Sequence, residues 1–107
     1  MLSDLLERED RMYAIILRYK RPLSEVDKHV AAHREWLRKN YADGTFLVSG
    51  RQRSGGGGFI LAAAIERGQL DATLAADPFG QNDLADYEII DVAPSMADER
   101  LSFLIEK

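Results

Sequence analysis

The chain has 107 residues, 14 of them Lys or Arg and 18 Asp or Glu, for a formal net charge of −4, and 46% are hydrophobic. That balance fits one compact domain and excludes both a pair of domains and a disordered tail. Cysteine is absent, which excludes a disulfide framework, thiolate catalysis, iron–sulfur chemistry and cysteine-ligated zinc, and fits a reducing compartment. Mild acidity argues against a nucleic-acid module and against attraction to anionic membranes. The apolar runs fall short of a membrane span, and the first eleven residues are too charged for a signal peptide, so the expected location is the cytoplasm.

Residues 1–11 read as a charged extension. MYAIILRY (12–19) is a β-branched and aromatic run stopped by Lys20-Arg21-Pro22, which predicts a strand. Its two alternating sets, Tyr13/Ile15/Leu17/Tyr19 and Met12/Ala14/Ile16, are both largely apolar, so the strand is expected to be central and covered on both faces. A helix follows, with Ser24 as its cap, Glu25 and Asp27 near its positive end, Arg38 and Lys39 near its negative end, and Gly44 at its exit. The runs 45–51 (TFLVSGR) and 58–64 (GFILAAA) flank a turn-forming segment and predict a β-hairpin. An alanine-rich second helix over 70–76 is stopped by Pro78, and YEIIDV (87–92) supplies a fourth strand. Ser95 and Asp98 then precede Leu101, Leu104 and Ile105 in the pattern of a short amphipathic C-terminal helix.

The order β-α-β-β-α-β predicts an α+β, ferredoxin-like domain over 12–94, with both helices on one face of a four-stranded antiparallel sheet. Residues 95–107 add the C-terminal helix. Two helices cover only one face, and the other keeps apolar side chains of the first and third strands, so a homodimer joined through its sheet faces is expected.

On a wheel of about 100° per residue, Val26, Val30, Leu37 and Tyr41 form a stripe that includes His33. An inward imidazole is either a satisfied core histidine or a proton-transfer group. Asp77 is the candidate partner. A carboxylate at a helix C-terminus meets the negative end of the macrodipole, a cost of about 0.3–1 kcal/mol that a donor imidazole would offset; the plainer alternative is a simple Asp-Pro helix stop. If the two meet, Asp77 fixes the His33 tautomer and stabilises its imidazolium form. Ser49 lies on a strand rather than at a nucleophile elbow, which disfavours serine hydrolase chemistry. His29 and His33, four apart, lack a third ligand for a metal, and none is expected. Glycines 55–58 lack the Lys-Ser/Thr and the helix of a phosphate loop, so a flexible hairpin is expected. Arg51 and Arg53 either guide an anionic substrate or are ordinary exposed arginines. Aromatic residues suffice for an apolar pocket, and the candidate substrate-binding set is Tyr13, Trp36, Ser49, Arg51 and Phe79.

The strand MYAIILRY, the histidine in HREWL, the strand FLVSG, the run GGFILAAA, the Ala-Asp-Pro-Phe stop and YEIIDV together resemble the YciI-like (YCII-related) family over about 12–94. The chain departs from the family pattern at Arg51, where proline often follows Ser-Gly, and in its two terminal segments. The resemblance implies a dimeric ferredoxin-like α/β barrel and a histidine–aspartate pair in a pocket at the sheet, positions matched by His33 and Asp77. It also implies chemistry such as dehydrochlorination of a chlorinated hydroxyhydroquinone, with structural cousins that handle small cyclic or aromatic molecules without a metal. The expected function is therefore cofactor-independent elimination or isomerisation of a small cyclic or aromatic compound, with His33 and Asp77 as catalytic residues. The alternative is a non-catalytic dimer that binds a small molecule or serves as an accessory protein.

Overall fold

The structure, a computed structural model, describes residues 11–105. The charged extension predicted for 1–11 lies outside the described residues apart from Arg11.

Strand β1 spans Met12–Tyr19, as its composition predicts. Helix α1 (Leu23–Val26), a 3-10 turn (Asp27–His29) and helix α2 (Val30–Ala42) follow without a gap. Next come β2 (Phe46–Arg51), β3 (Gly57–Ala63), α3 (Arg67–Ala75), the single turn α4 (Pro78–Gln81) and β4 (Ala85–Val92). The sheet order is β2-β3-β1-β4, with every neighbouring pair antiparallel. This is the ferredoxin-like arrangement.

The helical start differs from the sequence expectation. Pro22 occupies the cap position and its carbonyl accepts from the amides of Glu25 and Val26. Proline already holds the φ that a helix entry needs. Ser24 therefore lies inside the first turn and does not cap. The 3-10 turn advances about 20° more per residue than α-helix, so it rotates α2 relative to α1. The buried face of α2 is consequently centred on Trp36 and Asn40, and Tyr41 is left exposed. The C-terminal segment is a kinked 3-10 helix over Glu99–Leu104, capped by Asp98 rather than Ser95.

Tyr13, Ile15 and Leu17 of β1, with Phe46, Ile60 and Ala62, face the helices and pack against Val26, Trp36, Leu70, Leu74 and Phe79. The opposite face carries rows of cross-strand neighbours: Phe59–Ile16–Glu88, Leu61–Ala14–Ile90 and Ala63–Met12–Val92. Phe59, Ile90 and the nearby Val48 are exposed there.

Two local irregularities position the site. Phe46 pairs with Ala62 and Val48 with Leu61, so β2 carries one extra residue there. A bulge of this kind re-aims the later residues of its strand: Ser49 and Arg51 turn to the helix side, where an unbroken strand from Phe46 would have sent them to the open face. The second is Gly57, which belongs to β3 rather than to a flexible loop. A Cβ there would lie 1.7 Å from the Leu17 carbonyl oxygen, so only glycine lets β3 close against β1 at that point.

Candidate active site

Asp77 follows the last turn of α3 and begins α4. Its backbone is extended (φ −68°, ψ 123°), Pro78 takes the first helical position, and its carboxylate accepts from the Phe79 amide at 3.0 Å. The Asp-Pro pair is thus a junction between two helices, with Asp77 capping the start of the second, where the sequence placed it only at the C-terminal end of the first. Proline is preorganised for such a start and aspartate suits the cap.

The Asp77 carboxylate is completely buried yet fully satisfied. Oδ1 also meets His33 Nδ1 at 2.7 Å, and Oδ2 accepts from the Tyr87 hydroxyl at 2.5 Å. Burial first, and the Asp77 bond second, push the Tyr87 phenol well above its ordinary value, so Tyr87 stays protonated and donates. The Phe79 amide can only donate. A carboxylate surrounded by such donors accepts rather than gives protons, which assigns the proton of the His33–Asp77 bond to Nδ1. The ring atom left for a ligand is Nε2.

The imidazole is held in its plane as well as at its edge. Phe79 stacks on it with centroids 3.8 Å apart and planes 3° from parallel. Trp36, three residues further along α2, packs with its ring centroid 5.4 Å from that of His33 and anchors itself by donating from Nε1 to the Thr73 carbonyl. His33 retains 13% side-chain exposure, and that exposure opens on a cavity of about 520 Å³. The volume is within the range of small-molecule sites. Its walls include Leu17, Val30, Leu37, Ile60 and Phe79, with Ser49, Arg34 and Arg51 supplying polar groups.

Residues 12–93 match the family model described as the YCII-related domain. The chain belongs to the YCII-related domain family. Comparison with curated proteins gives no match. Among solved structures, the chain is similar to a 5-chloro-2-hydroxyhydroquinone dehydrochlorinase from Burkholderia phenoliruptrix AC1100, in complex with 2,5-dihydroxybenzoquinone. The TM-score is 0.63 and the identity 21%, over 74% of this chain and 90% of that one. At that identity the likeness shows a shared fold.

Within this YCII-related domain the residues singled out from sequence separate into two groups. His33, Ser49, Arg51 and Phe79 line the cavity. Tyr13 and Trp36 do not. Tyr13 is fully buried beneath the helices, its hydroxyl accepting from Arg11, and Trp36 serves as core behind His33. Ser49 meets Tyr41 through their hydroxyls at 2.5 Å. Arg51 lines the cavity but is engaged: it donates to Asp27 at 2.9 Å and to the Tyr19 hydroxyl at 3.2 Å. The Asp27 contact, then Tyr19, raises its already high pKa. Among the described residues, no three His, Asp or Glu side chains group as a metal would need.

Sequence reasoning missed Tyr87. Its only signal is the alternation of YEIIDV, which places Tyr87 and Ile89 on one face; nothing in that pattern tells that the face meets Asp77. Gly80 leaves room for the meeting: a Cβ there would come within 3.1 Å of the Tyr87 hydroxyl oxygen, closer than ordinary van der Waals contact.

Proposed function

We propose that this protein is an enzyme that moves a proton on a small cyclic or aromatic compound, in an elimination or isomerisation, with His33 as general acid/base and Asp77 as its orienting carboxylate. The observation that carries this reading is the His33 ring itself, fixed at Nδ1 by a buried, triply bonded carboxylate while Nε2 is left for a 520 Å³ cavity. Such a base takes a proton at Nε2, and the imidazolium so formed sits against the Asp77 charge. In an elimination the C–H or O–H electron pair becomes the new π bond, the leaving group departs with its own bonding pair, and the proton rests on Nε2 until water removes it. The protein of similar fold is named a dehydrochlorinase of 5-chloro-2-hydroxyhydroquinone, which supports ring compounds with a leaving group that departs as an anion, such as chloride, as the first substrates to try. No outside oxidant, reductant or cofactor is needed for that balance.

The reading includes a homodimer formed through the open sheet face and a cytoplasmic setting, supported by the apolar rows on that face and by the absence of cysteine.

The test is turnover of halogenated hydroquinones and of cyclic enones, followed by halide release and by deuterium uptake from solvent. Proton transfer by one positioned side chain contributes roughly 10²- to 10⁴-fold, so His33→Gln should lose that much on any compound the wild type converts. Undiminished turnover in the variant would overturn the assignment. Binding of ring compounds with no turnover or exchange by the wild type would favour the non-catalytic reading instead.

A further inference from the structure

Two arginines line the cavity, and their situations differ. Arg51 is committed to Asp27 and Tyr19, and its guanidinium carbon lies 5.7 Å from the Tyr19 ring centroid. Arg34 has no hydrogen bond, ion pair or ring contact with any described residue. Elsewhere among the described residues, Arg18 pairs with Glu88, Arg21 with Asp83, Arg38 with Glu35 and Arg67 with Asp71, while Arg53 on the hairpin also lacks a partner but lies off the cavity wall. Of the charged side chains on the cavity wall, Asp27 cancels Arg51, and Arg34 leaves one uncompensated positive charge. Arginine is charged at any physiological pH and offers a planar fork of donors suited to a carboxylate or an enolate-type oxygen pair.

Arg34 also stands next to His33 on the rigid helix α2. Adjacent helical residues project about 100° apart, so a group held by Arg34 would have a fixed bearing from Nε2.

We propose that Arg34 is the specificity-determining residue of this site, receiving an anionic oxygen substituent of the ring compound on which His33 acts. This deepens the proposed function and rests on the cavity assigned there. The substrate class narrows to ring compounds bearing a carboxylate or an ionised hydroxyl. Arg51, the cation suggested by the hairpin sequence, serves with Asp27 and Tyr19 as fixed wall.

The experiment uses benzoate and its neutral isostere benzamide as probes, with binding read from amide shifts of cavity residues such as Ser49 and Phe79. The wild type should bind benzoate about tenfold more tightly than benzamide, the scale of one charge-assisted contact near a protein surface. The preference should weaken with added salt. Arg34→Gln should abolish the preference with benzamide binding unchanged, and Arg34→Lys should restore part of it, a pattern that loss of folding would not produce. Equal binding of the two probes, or none of either, would overturn the proposal. So would a preference that survives Arg34→Gln, and its disappearance in Arg51→Gln would move the role to Arg51. His33→Gln should keep the benzoate preference; if it does while turnover is undiminished, the acid/base reading has failed and the anion site has not.

Discussion

The Tyr87 hydroxyl donates to Oδ2 of Asp77, the carboxylate oxygen that His33 leaves free. One strand of the sheet thereby closes the hydrogen-bond shell of a carboxylate presented by a helix junction. Replacing Tyr87 with Phe leaves a buried oxygen without a donor, at a cost of about 1–3 kcal/mol. Urea unfolding near neutral pH should register that loss.

The same contact gives a pH dependence of known sign. Because the folded state holds the Tyr87 proton more tightly than the unfolded chain, it keeps that proton when alkaline solution strips it from the unfolded form. The contribution is complete below the ordinary phenol pKa of about 10 and declines above it, since folding then takes up a proton. The stability difference between wild type and Tyr87→Phe should therefore narrow from about pH 7 to about pH 11. A constant gap would remove Tyr87 as the titrating group.

Asp77→Asn separates orientation from direct proton transfer. Asp77 is fully buried and reaches the cavity only through His33, so the variant should lower turnover by at least about tenfold yet by less than His33→Gln. An equal or larger loss would make Asp77 the base itself.

Gly57 and Gly68 offer a contrast in stability. Alanine at 57 would drive a methyl into the Leu17 carbonyl, and β3 could not pair with β1 as it does, so Gly57→Ala should fail to fold or lose several kcal/mol, on the order of the largest single-site effects. Gly68 lies within α3, and a Cβ there meets nothing within 4 Å; Gly68→Ala should stabilise by about 0.4–1 kcal/mol. Thermal unfolding of both variants checks the pair.

The proposed dimer is tested on the open sheet face. Ile16 lies in a row between Phe59 and Glu88, so Ile16→Glu sets a second negative charge beside Glu88 and interrupts the apolar surface. Light scattering should report a dimer for the wild type and a monomer for Ile16→Glu. A wild type that is monomeric at micromolar concentration would refute the assembly.

The four strands and the helical segments between them were legible because each rests on local pattern. MYAIILRY has the composition of a central strand, and β1 begins and ends where that run does. Helix α3 begins three residues before the predicted segment because Arg67, Gly68 and Gln69 carry no apolar signal, while packing of Leu70 and Leu74 secures the turn. The Ser24 cap failed for a competing local reason, the Pro22 entry. His33 and Asp77 were legible as candidates from a stripe position and an Asp-Pro helix end; a separation of 44 positions hides whether they touch.

Composition, periodicity and punctuation thus determined the order of elements, the central place of β1 and the two residues able to form a proton-transfer pair, since these depend on neighbours within a few positions. Tertiary structure alone decided that Tyr87 completes the Asp77 shell, that a bulge at Val48 turns Ser49 and Arg51 toward the helices, and that Tyr13 and Trp36 are core. It also decided that Arg51 is already paired while Arg34, among the described residues, stands uncompensated at the cavity. Pairing between distant charges follows from strand register and helix rotation, and a single residue of bulge or a turn of 3-10 helix changes both without altering the hydrophobic pattern along the chain.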